Sequence, residues 1–302
     1  MIVRIGYAPG LMAAAPGPAR LAELVRGLER AGFDSLWVTE RVTGESGDPV
    51  VTLTYAAALS TRLKLGMAVM VLPGRQPALL AQQLASLDRL AAGRLLPAFG
   101  LGRRDPAEQQ AFGVRAEQRA ALLEEALPLL RRFWAEDEVT HHGTHYHYEA
   151  LRVRPRPAAG GFDVWMGGAS DAELRRTGRL SDGWLASFVT PADAERGRAA
   201  VSRAAAEAGR EIEDEHFGAV VPYRRGPLDA AAEKRFARAR RVRGQAPVAD
   251  VIPSLETLDA HLRRLMDAGL SKFVLIPTTA PQDWDAELAD VRDAALPLQT
   301  VG

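Results

Sequence analysis

The stretch HHGTHYHYE at 141–149 gathers four of the six histidines of the chain: His141, His142, His145 and His147. Imidazoles two apart on an extended backbone share a face, so His145 and His147 could ligate one metal ion. Such a site needs further donors. The chain has no cysteine, and Glu149 is the only acid within easy reach downstream. The alternation around Gly143 reads instead as a β-hairpin of polar strand residues, and no metal is expected. Two glycine-rich stretches offer different chemistry. In GGASDAEL (167–174), Gly167, Gly168, Ala169 and Ser170 lead into a helix, where free backbone N–H groups and the positive helix end favour an anion. In GLGRRD (100–105), Gly102 allows a turn and Arg103 adds a guanidinium, with Arg104 beside it. Glycines in either loop alone need only make a tight turn; two adjacent loops of this kind suit a phosphate.

These loops matter only if the fold brings them together. Short buried runs alternate with amphipathic helices along the chain. Strands are expected at 3–8, 35–39, 64–72, 94–100, 163–168, 183–188, 216–223 and 272–277. After the first comes a helix with Leu21, Leu24, Val25, Leu28 and Ala31 on one face, closed by Gly32. A helix over 115–135, kinked at Pro128, follows the fourth strand, and residues 224–253 form an irregular insertion. Strands that are apolar on both faces and separated by helices are parallel strands. Eight such units in 302 residues fit an α/β fold of the (β/α)8 TIM-barrel type, with insertions after strands four and seven. No linker, tandem repeat or low-complexity segment interrupts residues 1–302, so one domain is expected.

Composition narrows the function. Lysine plus arginine and aspartate plus glutamate both number 38, which disfavours nucleic acid or an anionic membrane as the main partner. The start MIVRIGYAPG enters a strand with no basic stretch followed by an apolar one, and no apolar run is long enough to span a bilayer, so a cytoplasmic protein is expected.

Barrels of this type place their chemistry at the C-terminal ends of the strands. The residues there are Tyr7, Glu40 with Arg41, Met70 and Leu72, the two glycine-rich loops, Ser187, Tyr223 with Arg224, and Thr278. Ala68, Val69 and Met70 make an apolar wall suited to a flat ring. Glu40, Tyr7 and Tyr223 are the candidates for proton handling. Arg41 beside Glu40 is expected to lower its carboxyl pKa and keep it ionised.

GFDSLWVTERV, KLGMAVMVLPGRQPALLAQQLASLDRLAAGRLL, FGLG and VWMGGAS…GRLSDGWL together resemble the bacterial luciferase-like superfamily, in the right order from about residue 2 to 187. LDAHLRRLMDAGLSKFVL is a weaker echo near the end. The likeness is greatest to coenzyme F420-dependent oxidoreductases of actinobacteria. It implies a cofactor ring across the strand tops, braced by a non-prolyl cis peptide at the position of Ala68–Val69. It also implies a cofactor phosphate at Gly167, Gly168, Ala169 and Ser170, helped by Gly102 and Arg103. Where many relatives carry histidine after the acid of strand two, this chain has Arg41. The expected activity is hydride transfer between coenzyme F420 and a small organic substrate. An FMN-dependent monooxygenase fed by a partner reductase is the alternative, and a non-catalytic flavin-binding barrel is a further one; a homodimer is compatible with each. The basic run at 233–244 is either a solvated helix or a cradle for the acidic tail of F420, and the second reading favours the deazaflavin over FMN.

Overall fold

In the computed structural model, which describes residues 1–10, 14–241 and 247–300, strands and helices alternate from the first strand onward. Strand β1 (Arg4–Tyr7) leads to helix α1 (Pro18–Ala31), then β2 (Ser35–Val38) and α2 (Pro49–Leu59). The third barrel strand is split into β3 (Lys64–Met67) and β4 (Met70–Val71), followed by α3 (Pro77–Leu90). The fourth is split into β5 (Leu95–Leu96) and β6 (Ala98–Gly100). An insertion then carries α4 (Pro106–Phe112), α5 (Arg119–Ala135) and a hairpin of β7 (Val139–His142) and β8 (His147–Leu151). Strand β9 (Trp165–Gly167), α6 (Asp171–Leu180), β10 (Gly183–Ser187), α7 (Pro191–Glu207) and β11 (Phe217–Tyr223) come next. A second insertion holds α8 (Ala230–Arg241), and α9 (Leu258–Asp267), β12 (Lys272–Pro277) and α10 (Trp284–Ala295) complete the order.

Pairing runs β4-β6-β9-β10-β11-β12-β1-β2-β3-β5. Because β3 and β4 are two pieces of one strand, as are β5 and β6, the two ends of that order meet and the sheet closes into a parallel eight-stranded barrel. Both splits depart from the continuous strands expected at 64–72 and 94–100. The first falls at the cis bond Ala68–Val69. The second falls at Pro97, which has no N–H to give the ladder. Helix α4 is absent from the sequence reading, although Asp105, whose side chain accepts from Ala107 N at 3.0 Å, and Pro106 form an ordinary start signal. Part of the supposed irregular stretch 224–253 is α8.

The wall separates two apolar layers. Ala8, Trp37, Ala98, Trp165, Leu185, Val220, Val274 and Ile276 fill the lumen, with Ala68, Val69 and Leu96 packed against them. Ile5, Tyr7, Leu36, Leu65, Met67, Tyr223 and Leu275 belong to the larger cluster under the helices. Alternation along each strand makes this division, so a step of one residue moves a side chain from one layer to the other. The helices meet the outer layer through faces such as Leu21, Leu24, Val25 and Leu28 of α1.

Candidate functional site

At the rim, Glu40 stands just past β2 and reaches sideways to the top of strand three. Its Oε2 accepts from Val71 N at 2.7 Å, and its Oε1 is paired with the Arg75 guanidinium. Arg75 also donates from Nε to Val71 O at 2.8 Å. The acid is therefore held by Arg75, thirty-five residues away, rather than by Arg41 as expected. Burial raises the Glu40 carboxyl above its ordinary value, and the Arg75 charge only opposes that rise. The expected lowering is thus reversed, because a side chain only 4% exposed loses more hydration than one cation restores.

Beside this clamp lies an apolar shelf. Ala68 and Val69 are joined by a cis peptide bond, half-buried, and packed on the lumen cluster. A Cβ on Gly100 would stand 2.6 Å from Val69 Cγ2, so the bare glycine is what admits the Val69 side chain across strand four. Trp37 and Trp165 are fully buried within the lumen cluster, so the interior is packed rather than open.

The two glycine-rich loops follow on the same side, since β6 pairs with β9. Gly102 has a left-handed φ of 73°. Arg103 and Arg104, both exposed, make no hydrogen bond or ion pair with other described residues. Arg119, buried beneath them, donates from Nη1 to Gly102 O at 2.8 Å and so fixes the loop. At the other loop Ser170 caps α6 in a capping box with Glu173. Glu173 Oε2 accepts from Ala169 N and Ser170 N, each at 3.0 Å, and from Ser170 Oγ at 2.9 Å. The N–H groups proposed for a phosphate already face a carboxylate.

Tyr7 and Tyr223 lie elsewhere. Both belong to the outer layer, and each is 0% exposed. Their hydroxyls are 3.3 Å apart, and Tyr223 donates to Glu287 of α10, whose other oxygen takes Arg225 Nε at 2.5 Å. Burial raises both phenols well above their ordinary range. The structure therefore does not bring them to Glu40 or Val69. Tyr223, Arg224, Thr278 and Glu287 do line a cavity of about 550 Å³ at the tops of strands seven and eight, across the barrel from the shelf.

The histidine stretch forms the antiparallel pair β7–β8, but His145 falls in its turn, so His145 and His147 do not share a strand face. His142 and His147 pair across the hairpin instead. Glu125 of α5 holds the turn, accepting from Tyr146 N at 2.9 Å and His145 N at 3.0 Å and meeting His141 Nε2 at 3.0 Å. Tyr146 then donates to Arg75 O at 3.3 Å, which ties the hairpin to the clamp on Glu40. Among the described residues no group of three or more His, Asp or Glu could hold a metal. The basic run at 233–244 starts within α8, and its last three residues, 242–244, lie outside the described residues.

Comparison with known proteins adds the family. Residues 2–295 match the model described as luciferase-like monooxygenase. The chain belongs to the luciferase-like family. It is 30% identical over 193 residues to an F420-dependent glucose-6-phosphate dehydrogenase of Kineococcus radiotolerans, covering 61% of this chain and 56% of that one. The chain thus spans a little over half the length of the curated relatives it matches. An F420-dependent secondary alcohol dehydrogenase, solved with an F420–acetone adduct, has the same fold at TM-score 0.82 and 17% identity, covering 99% of this chain and 100% of that one. The oxygenating constituent of 3,6-diketocamphane monooxygenase of Pseudomonas putida, solved with FMN, superposes at TM-score 0.78 with 17% identity and full coverage of both chains, 100% each. Among the described residues no helix is long and apolar enough to cross a membrane.

Proposed function

We propose that this chain is an oxidoreductase that moves a hydride between coenzyme F420 and a small organic substrate. The observation that carries the proposal is the shelf of Ala68 and Val69, with Glu40 and Arg75 at its edge and, one loop away, the exposed guanidinium groups of Arg103 and Arg104, which pair with no other described residue. The shelf fits the apolar face of a flat ring, and Arg103 and Arg104 suit its phosphate-bearing end. The relative at 30% identity supports F420 over FMN.

A bound deazaflavin would supply the hydride chemistry itself. The chain supplies the rest. Val69 and Ala68 would orient the ring, and the packed tryptophans beneath would keep water from its lower face. Glu40 would hold Val71 N–H, and with it the shelf, in place. Because both its oxygens are engaged, its first role is positioning; proton transfer through it would require breaking the Arg75 contact. Tyr7 and Tyr223 drop out of the proposed proton path, since neither faces the lumen.

The FMN-dependent monooxygenase with a partner reductase remains the second reading, favoured by the description of the matching family model. Titrating the protein with F420 and with FMN, followed by calorimetry, separates the two. Tighter binding of F420, and turnover of reduced F420 without oxygen, is the expected result. Binding of FMN alone would overturn the F420 assignment, and binding without any turnover would leave a flavin-binding barrel. A homodimer is also proposed: α2 has no charged residue and leaves Val51 70% and Tyr55 41% exposed.

A further inference from the structure

The top of strand five already holds an anion, and it belongs to the chain. Glu173 Oε2 takes three donors at once, Ala169 N, Ser170 N and Ser170 Oγ, at 2.9–3.0 Å. Its side chain lies along the backbone of Gly168, where an added Cβ would stand 2.6 Å from Glu173 Cβ. The buried Arg119 guanidinium feels the Glu173 charge, while its own hydrogen bonds go to backbone carbonyls. This cradle therefore does not fit a phosphate as it stands.

We infer that Glu173 is a built-in competitor for the cofactor phosphate and sets how strongly this chain discriminates between phosphate-bearing and phosphate-free flavins. The inference rests on the proposed function together with the expectation, from the family resemblance, that the cofactor phosphate lies at the strand-five top. Two anions cannot share one pair of backbone donors, because like charges in contact repel and each needs the same N–H groups. A phosphate that enters must therefore turn the Glu173 side chain out. The affinity measured for a phosphorylated cofactor then includes the loss of three hydrogen bonds to Glu173. Arg103 and Arg104, exposed on the neighbouring strand-four loop and paired with no other described residue, are available to receive either the displaced carboxylate or the phosphate itself.

The test compares wild type with Glu173→Gln and Glu173→Ala by calorimetric titration. Glutamine keeps an oxygen able to cap Ala169 and Ser170 but removes the charge, so it guards against an effect of lost folding; alanine removes both. The ligands are F420 and FMN, with riboflavin and the phosphate-free deazaflavin chromophore as their partners lacking the phosphate. The expected result is binding of F420 and FMN about tenfold tighter in Glu173→Gln, the equivalent of one charge-assisted contact no longer lost. Riboflavin and the phosphate-free deazaflavin should bind all three proteins alike. Equal or weaker binding of F420 and FMN in Glu173→Gln overturns the inference, as does a gain shared by the phosphate-free ligands. If none of the four ligands binds wild type or variant, the proposed function falls first. Inorganic phosphate gives a separate arm, read from the amide NMR signals of Ala169 and Ser170. Shifts at concentrations that leave wild type unmoved support the competitor in Glu173→Gln, and identical titrations overturn it.

Discussion

Two sets of acid and base groups sit on either side of the barrel wall, and they are held in different ways. At the rim of strands two to five, Glu40 and Glu173 are each bonded to backbone N–H groups at loop ends, and Glu40 adds one cation. These are contacts that a ligand or a rotamer change can replace. Behind the wall, Tyr7, Tyr223, Glu287 and Arg225 bond one another beneath α10, where the two phenols are out of reach of solvent. The first set is able to exchange partners during binding, whereas the second holds α10 and strand seven together. Chemistry-bearing side chains at a strand top are thus divided by which face they take, and Tyr7 and Tyr223 took the structural one.

The largest expected effect that separates the two layers comes from acid. His261 of α9 is 2% exposed, and burial followed by the nearby Arg264 lowers its pKa to about 4. Its folded-state value lies below the unfolded one, so the native protein prefers the neutral ring. Stability on this account is full above about pH 6.5 and falls by about 3 kcal/mol as the pH drops towards 4. Urea unfolding at steps between those pH values checks it, and His261→Gln should flatten that part of the curve. Next in size is Tyr223→Phe, which leaves Glu287 without a buried donor and should cost about 1–3 kcal/mol in the same assay. Affinity for F420 should not change with it; a loss of affinity would place Tyr223 at the site after all.

Glu40→Gln sharpens the other side of the comparison. The amide would turn its NH₂ towards Arg75 or lose the bond from Val71 N–H, so the shelf loosens either way. About a tenfold loss of affinity, shared by the phosphate-free deazaflavin, is the mark of a positioning residue. A fall in kcat with unchanged affinity would mark a proton carrier instead. The smallest effect is expected from replacing His145 and His147 together by asparagine. Cofactor affinity should stay within twofold, as neither imidazole supplies the contacts that Glu125 and Tyr146 make to the turn and the rim.

The barrel was legible because eight buried runs and their helices carry separate signals, apolar stretches on one side and capping residues with a 3.6-residue period on the other. The faces were not. Strands buried on both sides show no polar alternation, so nothing in MIVRIGYA says whether Tyr7 or Gly6 faces the lumen. Arg75 could not be named as the partner of Glu40, because no local pattern joins residues so far apart in the chain. The role of Glu173 was within reach: Ser170 and Glu173 have the spacing of a capping box, which already consumes the donors offered to an anion. The start of α4 at Asp105-Pro106 was readable in the same way.

The central claim is that a cofactor ring lies on the shelf at Val69. Val69→Trp puts a large ring on the shelf where Val69 now packs over Gly100 and beside Gly167, on the opposite side of the wall from the tyrosines. With circular dichroism and melting temperature to show that the barrel still folds, calorimetric titration with F420 should show affinity reduced at least a hundredfold, and the phosphate-free deazaflavin should be lost with it. A folded Val69→Trp variant that binds F420 as wild type does would contradict the placement of the ring.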